Sequence, residues 1–339
     1  MANYLRLAIL LAFLAVSFPF VKYFIYEYQE AELTLHFYER FGVDPGSVFN
    51  GKVVWITGAS SGIGEHLAYE FTKHGSKLVL SARREKRLEQ VKNNCLALAK
   101  ERGLPLTAED ILVLPLDLTK FDTHTELAEK AVQHFGRVDV LVNNAGTASL
   151  DYIRNTPLRL TKKVLDTNIL GTISVTEAVL PHMLKRGKGH IAVVNSIMGK
   201  FAFPLIAPYV TSKFGLEGYF KVLRFELLSR NIDVTTLAIG LVGPTEIFAI
   251  AEGADGKKFA EKYKFPDVSP TQFMSPERCA YWSVVAIANR MDEPCISRHT
   301  VLAVSYLNQY MPSLYRWYEK TIYHGWFLHL VKEAGIAPP

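Results

Sequence analysis

From Val53 to Ile239 the chain repeats one unit: a short unbroken apolar run followed by a stretch of helical length. The runs are Val53–Ile56, Lys77–Leu80, Ile111–Leu114, Val138–Val142, Ile191–Asn195 and Val234–Ile239. Apolar runs that do not alternate with polar residues mark strands covered on both faces. Strands that alternate with helices pair in parallel, because each crossover returns the chain to the same end of the sheet. The expected fold class is therefore α/β, a single doubly wound parallel sheet. No linker, repeat or low-complexity segment divides residues 51–300, so they are expected to form one domain.

Composition assigns the rest of the chain. Of the 339 residues, 49% are apolar, which excludes intrinsic disorder. A net charge of +5, spread without basic blocks, does not call for nucleic acid. Three scattered cysteines, Cys95, Cys279 and Cys295, do not make a disulfide framework and read as reduced thiols, with a lone Cys95–Cys279 bridge as the alternative.

Part of the apolar excess lies at the N-terminus. Between Leu7 and Val21 only Ser17 and Pro19 are not clearly apolar, and Tyr23-Phe24-Ile25-Tyr26 extends the stretch to about the 20 residues that a membrane span needs. Residues 1–28 read as a retained single-pass anchor, as a cleaved signal peptide with Ala15-Val16-Ser17 as its cleavage pattern, or as a buried N-terminal helix. Tyr23, Tyr26 and Tyr28 form an interfacial belt that favours the anchor, and Arg6 before the span favours a luminal body. Residues 29–50 read as an amphipathic linker, and 301–339 as an aromatic-rich extension. That extension could cover a pocket, pack on a partner subunit or lie in a membrane interface.

Between the first strand and the first helix lies Gly58-Ala59-Ser60-Ser61-Gly62-Ile63-Gly64. Glycines there permit a tight turn and a close backbone approach to a pyrophosphate on the helix N-terminus. At the end of the second strand stands Ser81-Ala82-Arg83-Arg84, with no carboxylate before Glu85. A carboxylate at that place would accept from a ribose 2′-hydroxyl, whereas a guanidinium grips a 2′-phosphate. The expected cofactor is accordingly NADP(H), with Arg83 as the main contact; the other reading leaves both arginines solvated at a helix start. Asp117 reads either as a cap on the adenine amino group or as the N-cap of the next helix.

Asn143-Asn144-Ala145-Gly146 follows the fourth run, where ligand crevices open beyond strand ends. Ser196 lies thirteen residues before Tyr209, and Lys213 four residues after it. The last spacing puts Tyr209 and Lys213 on one helix face. A phenol ionises near about pH 10, so a neighbouring ammonium that favours the phenolate would make it a usable acid–base group. Ser196 could donate to a carbonyl oxygen as it gains charge.

Together these residues resemble the short-chain dehydrogenase/reductase family over about residues 50–300. The resemblance implies a Rossmann fold and hydride transfer between a nicotinamide and a carbonyl or alcohol. It implies that Tyr209 is the proton donor and acceptor, that Lys213 also holds the nicotinamide ribose, and that Ser196 orients the carbonyl. Asn168 matches the family's helix-kinking asparagine in a proton relay through water. It further implies cofactor contacts from Gly58, Ser60, Ser61, Gly62, Ile63, Gly64, Arg83, Asp117, Asn144, Tyr209, Lys213 and Gly240, no metal, and pairing as a homodimer. The hydrophobic start and Tyr306–Pro312 are similar to a membrane-associated branch of the endoplasmic reticulum.

There is one departure. The family's Pro-Gly after the sixth strand is Ile239-Gly240 here, and Thr245 falls one place late, which predicts a less fixed turn. A non-catalytic NADP(H)-binding sensor or scaffold is the alternative that this departure leaves open. Residues 246–275 read as a lid, and Phe201, Phe203, Pro204 and Leu205 as an apolar pocket wall. An anchored enzyme with such a pocket is expected to take a lipophilic carbonyl or alcohol: a steroid, a retinoid or a similar lipid.

Overall fold

The computed structural model of the chain describes residues 30–243, 247, 251–258, 261 and 273–333. The anchor or signal segment 1–28, Thr245 and most of the expected lid lie outside the described residues.

Among the described residues two short helices come first, α1 (Leu33–Phe41) and α2 (Pro45–Phe49). Then β1 (Val53–Thr57), α3 (Gly62–Lys73), β2 (Lys77–Ser81), α4 (Glu85–Glu101) and β3 (Ile111–Val113) build one half of the sheet. The other half follows with α5 (His124–Phe135), β4 (Val140–Asn143), α6 (Leu158–Leu165), a π-helical turn over Asp166–Leu170, α7 (Gly171–Arg186) and β5 (Gly189–Ser196). Helix α8 (Ala207–Leu227), β6 (Ile232–Ile239), α9 (Pro276–Ala288) and β7 (Cys295–Ile296) complete it. Helices α10 (His299–Tyr310), α11 (Pro312–Tyr318) and α12 (His324–Glu333) form the extension.

All seven strands are parallel, in the order β3-β2-β1-β4-β5-β6-β7. The winding reverses between β1 and β4, so their carboxyl ends open a crevice at the centre of the sheet. Successive side chains alternate between two cores. Val54, Ile56, Leu78 and Leu80 pack under α3, α4 and α9, while Val53, Trp55, Val79 and Leu141 pack under α5, α7 and α8. Burial of one such large side chain contributes about 1.5–3 kcal/mol, which is why these strands carry no polar face.

Several boundaries differ from the sequence expectation. Strand β5 starts at Gly189 because the buried His190 ring finds a partner in Thr235 (2.9 Å) and so tolerates an interior position. Strand β7 escapes sequence reading because it is two residues long. From Ala31 onward the expected linker is folded: Leu35 and Phe49 are buried in the core, and Phe49 meets Phe71 edge to face at 5.0 Å. Backbone bonds from Glu32 to Cys295 (3.1 Å) and from Val43 to the Asn289 side chain (2.8 Å) tie this segment to the far edge of the sheet. The three cysteines are free and buried, with no Cys95–Cys279 bridge.

Candidate active site

The phosphate loop is built by close approach rather than by many side-chain bonds. Gly58 has φ +69°, and a Cβ on it would lie 2.7 Å from Ala145 Cα. A Cβ on Gly64 would lie 2.3 Å from the Gly58 carbonyl oxygen. The first turn of α3 therefore rests directly on the loop. Asn144 braces the pair: its Nδ2 donates to the carbonyls of Thr57 (2.9 Å) and Gly58 (3.2 Å). Thr57 Oγ1 accepts from the N–H groups of Asn144 (3.0 Å) and Ala145 (3.1 Å), locking β1 to the loop after β4. Ser61, at the N-cap of α3, makes no side-chain capping bond, so no hydroxyl from the N-cap closes off the helix N-terminus. These residues fit a pyrophosphate, for which a helix N-terminus beside glycines is a ready site.

Beyond the end of β2, sequence reading named Arg83, and Arg84 proves to be the structured one. Its guanidinium donates to Ser60 Oγ (3.1 Å) and Ser61 Oγ (2.9 Å); both arginines are exposed. Asp117 sits across from Arg83. It is not the N-cap of α5; its Oδ1 accepts from the N–H (3.0 Å) and hydroxyl (2.8 Å) of Thr119. Burial would raise this carboxyl, but the Thr119 bonds and the charges of Arg83 and Lys120 hold it below the usual carboxylate range.

Ser196 ends β5, with its Oγ accepting from Met198 N–H (3.1 Å) and donating to the Ile239 carbonyl (3.3 Å). Tyr209 and Lys213 lie one turn apart on α8. The Lys213 ammonium donates to the Val194 carbonyl (3.0 Å) and lies 5.4 Å from the centre of the Tyr209 ring. Burial pushes the phenol up to about 12, against the opposing effect of its hydrogen bond with Ser196. Burial also brings Lys213 down to about 8. Burial is thus the largest influence on both groups, opposed at the phenol by Ser196. At neutral pH Tyr209 keeps its proton and Lys213 keeps most of its charge.

Asn168 lies in the π-helical turn, and both protons of its amide are committed. They go to the Thr147 carbonyl (2.9 Å) and Ser212 Oγ (2.9 Å), while its Oδ1 accepts from Thr147 N–H (2.8 Å). Ser212 Oγ in turn donates to the Tyr209 carbonyl (2.7 Å). Asn168 therefore latches the β4 loop to the catalytic helix. Sequence reading missed Ser212; a serine inside a helix pattern carries no sign of which face it turns.

Gly240 has a packing role that sequence reading did not foresee. Its N–H donates to the Ile296 carbonyl (2.9 Å), and a Cβ would come within 2.0 Å of Ser297 Oγ. The following residues pair with Met274, through Met274 N–H to Leu241 O (3.0 Å) and Gly243 N–H to Met274 O (3.0 Å). These bonds hold the described part of the turn, Gly240 to Gly243; Pro244 and Thr245 lie outside the described residues.

An apolar cluster borders Tyr209. Ala148, Leu150, Ile197, Phe201 and Ile206 meet Leu302 of α10 and Phe327 and Val331 of α12, with Phe203, Leu205 and Tyr323 packed against them. The Phe203 and Tyr323 rings meet edge to face at 6.0 Å. The extension thus packs over this apolar wall. Leu205 takes φ +71°, a conformation that costs a side chain of this kind about 1–3 kcal/mol, and its carbonyl accepts from Asp151 N–H (2.8 Å). Among the described residues no group of three His, Cys, Asp or Glu is placed to hold a metal ion.

The chain is similar to known proteins. A family model described as short chain dehydrogenase matches residues 52–253. "Dehydrogenase/reductase SDR family member 7" of Homo sapiens is 40% identical over 289 residues, 85% of this chain and 82% of that one. "11-beta-hydroxysteroid dehydrogenase 1A" of Arabidopsis thaliana is 38% identical over 193 residues, 57% of this chain and 52% of that one. In structure, a short chain dehydrogenase/reductase from Burkholderia phymatum crystallised in complex with NAD aligns at a TM-score of 0.65 and 24% identity, covering 79% of this chain and 96% of that one. At that identity the likeness concerns the fold.

Proposed function

The chain belongs to the short-chain dehydrogenase/reductase family, and from that premise we propose that it is an NADP(H)-dependent, membrane-associated oxidoreductase acting on the carbonyl or alcohol of a lipophilic substrate. The observation that carries this reading is the meeting of Ser196, Tyr209 and Lys213 at the carboxyl end of β5, beside the glycine loop. When bound, the nicotinamide cofactor supplies or accepts a hydride. The glycine loop and the N-terminus of α3 would hold its pyrophosphate.

The chain's own groups do the rest. Tyr209 Oη, protonated at neutral pH, gives its proton to the carbonyl oxygen during reduction and takes it back during oxidation. Ser196 Oγ, beside the phenol, would turn its proton from the Ile239 carbonyl to the same oxygen as charge develops on it. Lys213, held by Val194, keeps a positive charge beside the ring and makes loss of that proton less costly. The cover formed by α10 and α12 limits water on the apolar side of the site.

The choice of NADP(H) rests on the two arginines, since the solved neighbour described above holds NAD. With Arg84 engaged by Ser60 and Ser61, Arg83 is the guanidinium left to grip a 2′-phosphate. Arg83→Asp is expected to shift the NADPH/NADH ratio of kcat/KM by about 100-fold toward NADH, a change of roughly 2.7 kcal/mol. An unchanged ratio would remove Arg83 from the account.

The apolar wall around Tyr209 supports a steroid, retinoid or similar lipid as substrate, and so does the steroid in the name of the Arabidopsis relative. Membrane association rests on the Leu7–Val21 segment. It is supported by the exposed Leu33, Phe37 and Phe41 of α1 and the exposed Tyr310, Trp317 and Trp326 of the extension. Among the described residues no helix is long and apolar enough to cross a membrane. A fusion of residues 1–50 to a reporter is expected to stay in the pellet after alkaline carbonate extraction; release to the supernatant would count against an anchor.

A further inference from the structure

Behind the catalytic residues lies a charge cluster that the mechanism above does not use. The Lys200 ammonium contacts Glu217 of α8 and donates to Glu293 Oε2 in the loop before β7 (2.8 Å). Glu217 is only 7% exposed. Lys221 reaches the same two carboxylates, at 3.0 Å and 3.2 Å, and Arg224 donates to Glu293 Oε1 (2.8 Å). Burial opposes charge on Glu293, yet the Lys200 and Arg224 bonds bring it down to about 2. Every carboxylate in the cluster is thus paired, which a buried ion needs.

The cluster touches the catalytic helix where it matters. Asn195, the residue before Ser196, donates from Nδ2 to the carbonyl of Lys213 (3.2 Å) and to Glu217 Oε2 (3.0 Å). A Cβ on Gly199 would lie 3.0 Å from that same Lys213 carbonyl, so the turn after Ser196 rests on α8 almost backbone to backbone. Lys200 follows directly. Its carbonyl accepts from Asn308 Nδ2 of α10 (2.9 Å). One residue therefore joins the Ser196 turn, the helix bearing Tyr209 and Lys213, the β7 loop and the C-terminal cover. Buried ion clusters add little net stability, because desolvation offsets the attraction; what they fix well is relative position.

We infer that Lys200 is a positioning residue, whose bond to Glu217 holds α8 in register with the Ser196 turn and so sets how Tyr209 and Ser196 converge on one substrate oxygen. This rests on the reading of Tyr209 and Ser196 as the acid and the orienting donor. A small displacement of a reacting group is enough to cost orders of magnitude in rate.

The test uses the full chain in detergent with NADPH and a steroid ketone or retinaldehyde that the wild type reduces. Lys200→Met is expected to lower kcat about 30-fold, with KM and the NADPH dissociation constant within about threefold of wild type. Lys200→Arg, which keeps the charge, is expected to restore kcat to within about fivefold. Glu217→Gln keeps shape and the Asn195 contact; it is expected to lower kcat about tenfold, and the double variant no further than Lys200→Met alone, since both break one bond. Should Lys200→Met fail to fold, Glu217→Gln carries the same expectation. A folded variant with wild-type kcat, or kcat, KM and cofactor binding falling together, overturns the inference. Absence of turnover by the wild type overturns the functional reading instead.

Discussion

Replacing Tyr209 by Phe is expected to lower kcat by about 10³-fold while NADPH binds as before. The ring packs against the apolar wall and lies beside the Lys213 ammonium, and phenylalanine keeps both contacts. Only the hydroxyl is lost, and with it the phenolic proton beside Ser196. Because the phenol is held protonated by burial, no neighbour shares its duty: Lys213 is committed to Val194, and the Asn168 amide to Thr147 and Ser212. Steady-state kinetics together with NADPH titration by fluorescence will check this. Residual activity within about tenfold of wild type would assign the proton to another group.

Gly64→Ala is expected to destabilise the protein by about 3 kcal/mol and to weaken NADPH binding by about 100-fold. Two effects compete. Alanine in a helix gains up to about 1 kcal/mol over glycine. Here, however, its Cβ would sit 2.3 Å from the Gly58 carbonyl oxygen and 2.4 Å from Asn144 Nδ2, so the loop or the helix start must move. The clash falls on backbone that is fixed by the Asn144 and Thr57 bonds, and relief there opens the pyrophosphate cradle. Gly218→Ala on α8 is the control: nothing lies within 4 Å of its Cβ, so it is expected to be neutral or slightly stabilising. Thermal unfolding and NADPH titration of both variants will separate the clash from helix propensity. Equal behaviour of the two would contradict the close-approach account.

The sheet was legible because burial on both faces leaves a run such as Val53-Val54-Trp55-Ile56 with no polar position to blur it. The same logic fails for β7, where Cys295-Ile296 is too short to stand out, and for β5, where His190 interrupts the pattern yet is buried against Thr235. Gly58, Gly64, Tyr209 and Lys213 could be read because their spacing along one loop or one helix is itself the geometry. What could not be read is what depends on tertiary contact. Ser212 and Asn195 join elements far apart in sequence through single hydrogen bonds. Arg84 rather than Arg83 turns toward the phosphate loop, a choice of rotamer and backbone that two adjacent arginines do not announce. The phenol of Tyr209 shows the same limit: the Tyr–Lys spacing places the pair on one helix face, and only the fold shows how deeply both groups are buried.

The central claim is that this site moves a hydride between a nicotinamide and a carbonyl carbon, and deuterium transfer tests it most directly. The full chain in detergent, given NADPH deuterated at nicotinamide C4 and a panel of steroid ketones, retinaldehyde and medium-chain aldehydes, is expected to yield an alcohol with one deuterium on the former carbonyl carbon. Tyr209→Phe under the same conditions is expected to give only traces of it. Wild-type protein that consumes no NADPH across the panel, or consumes it without placing deuterium on that carbon, would contradict the account.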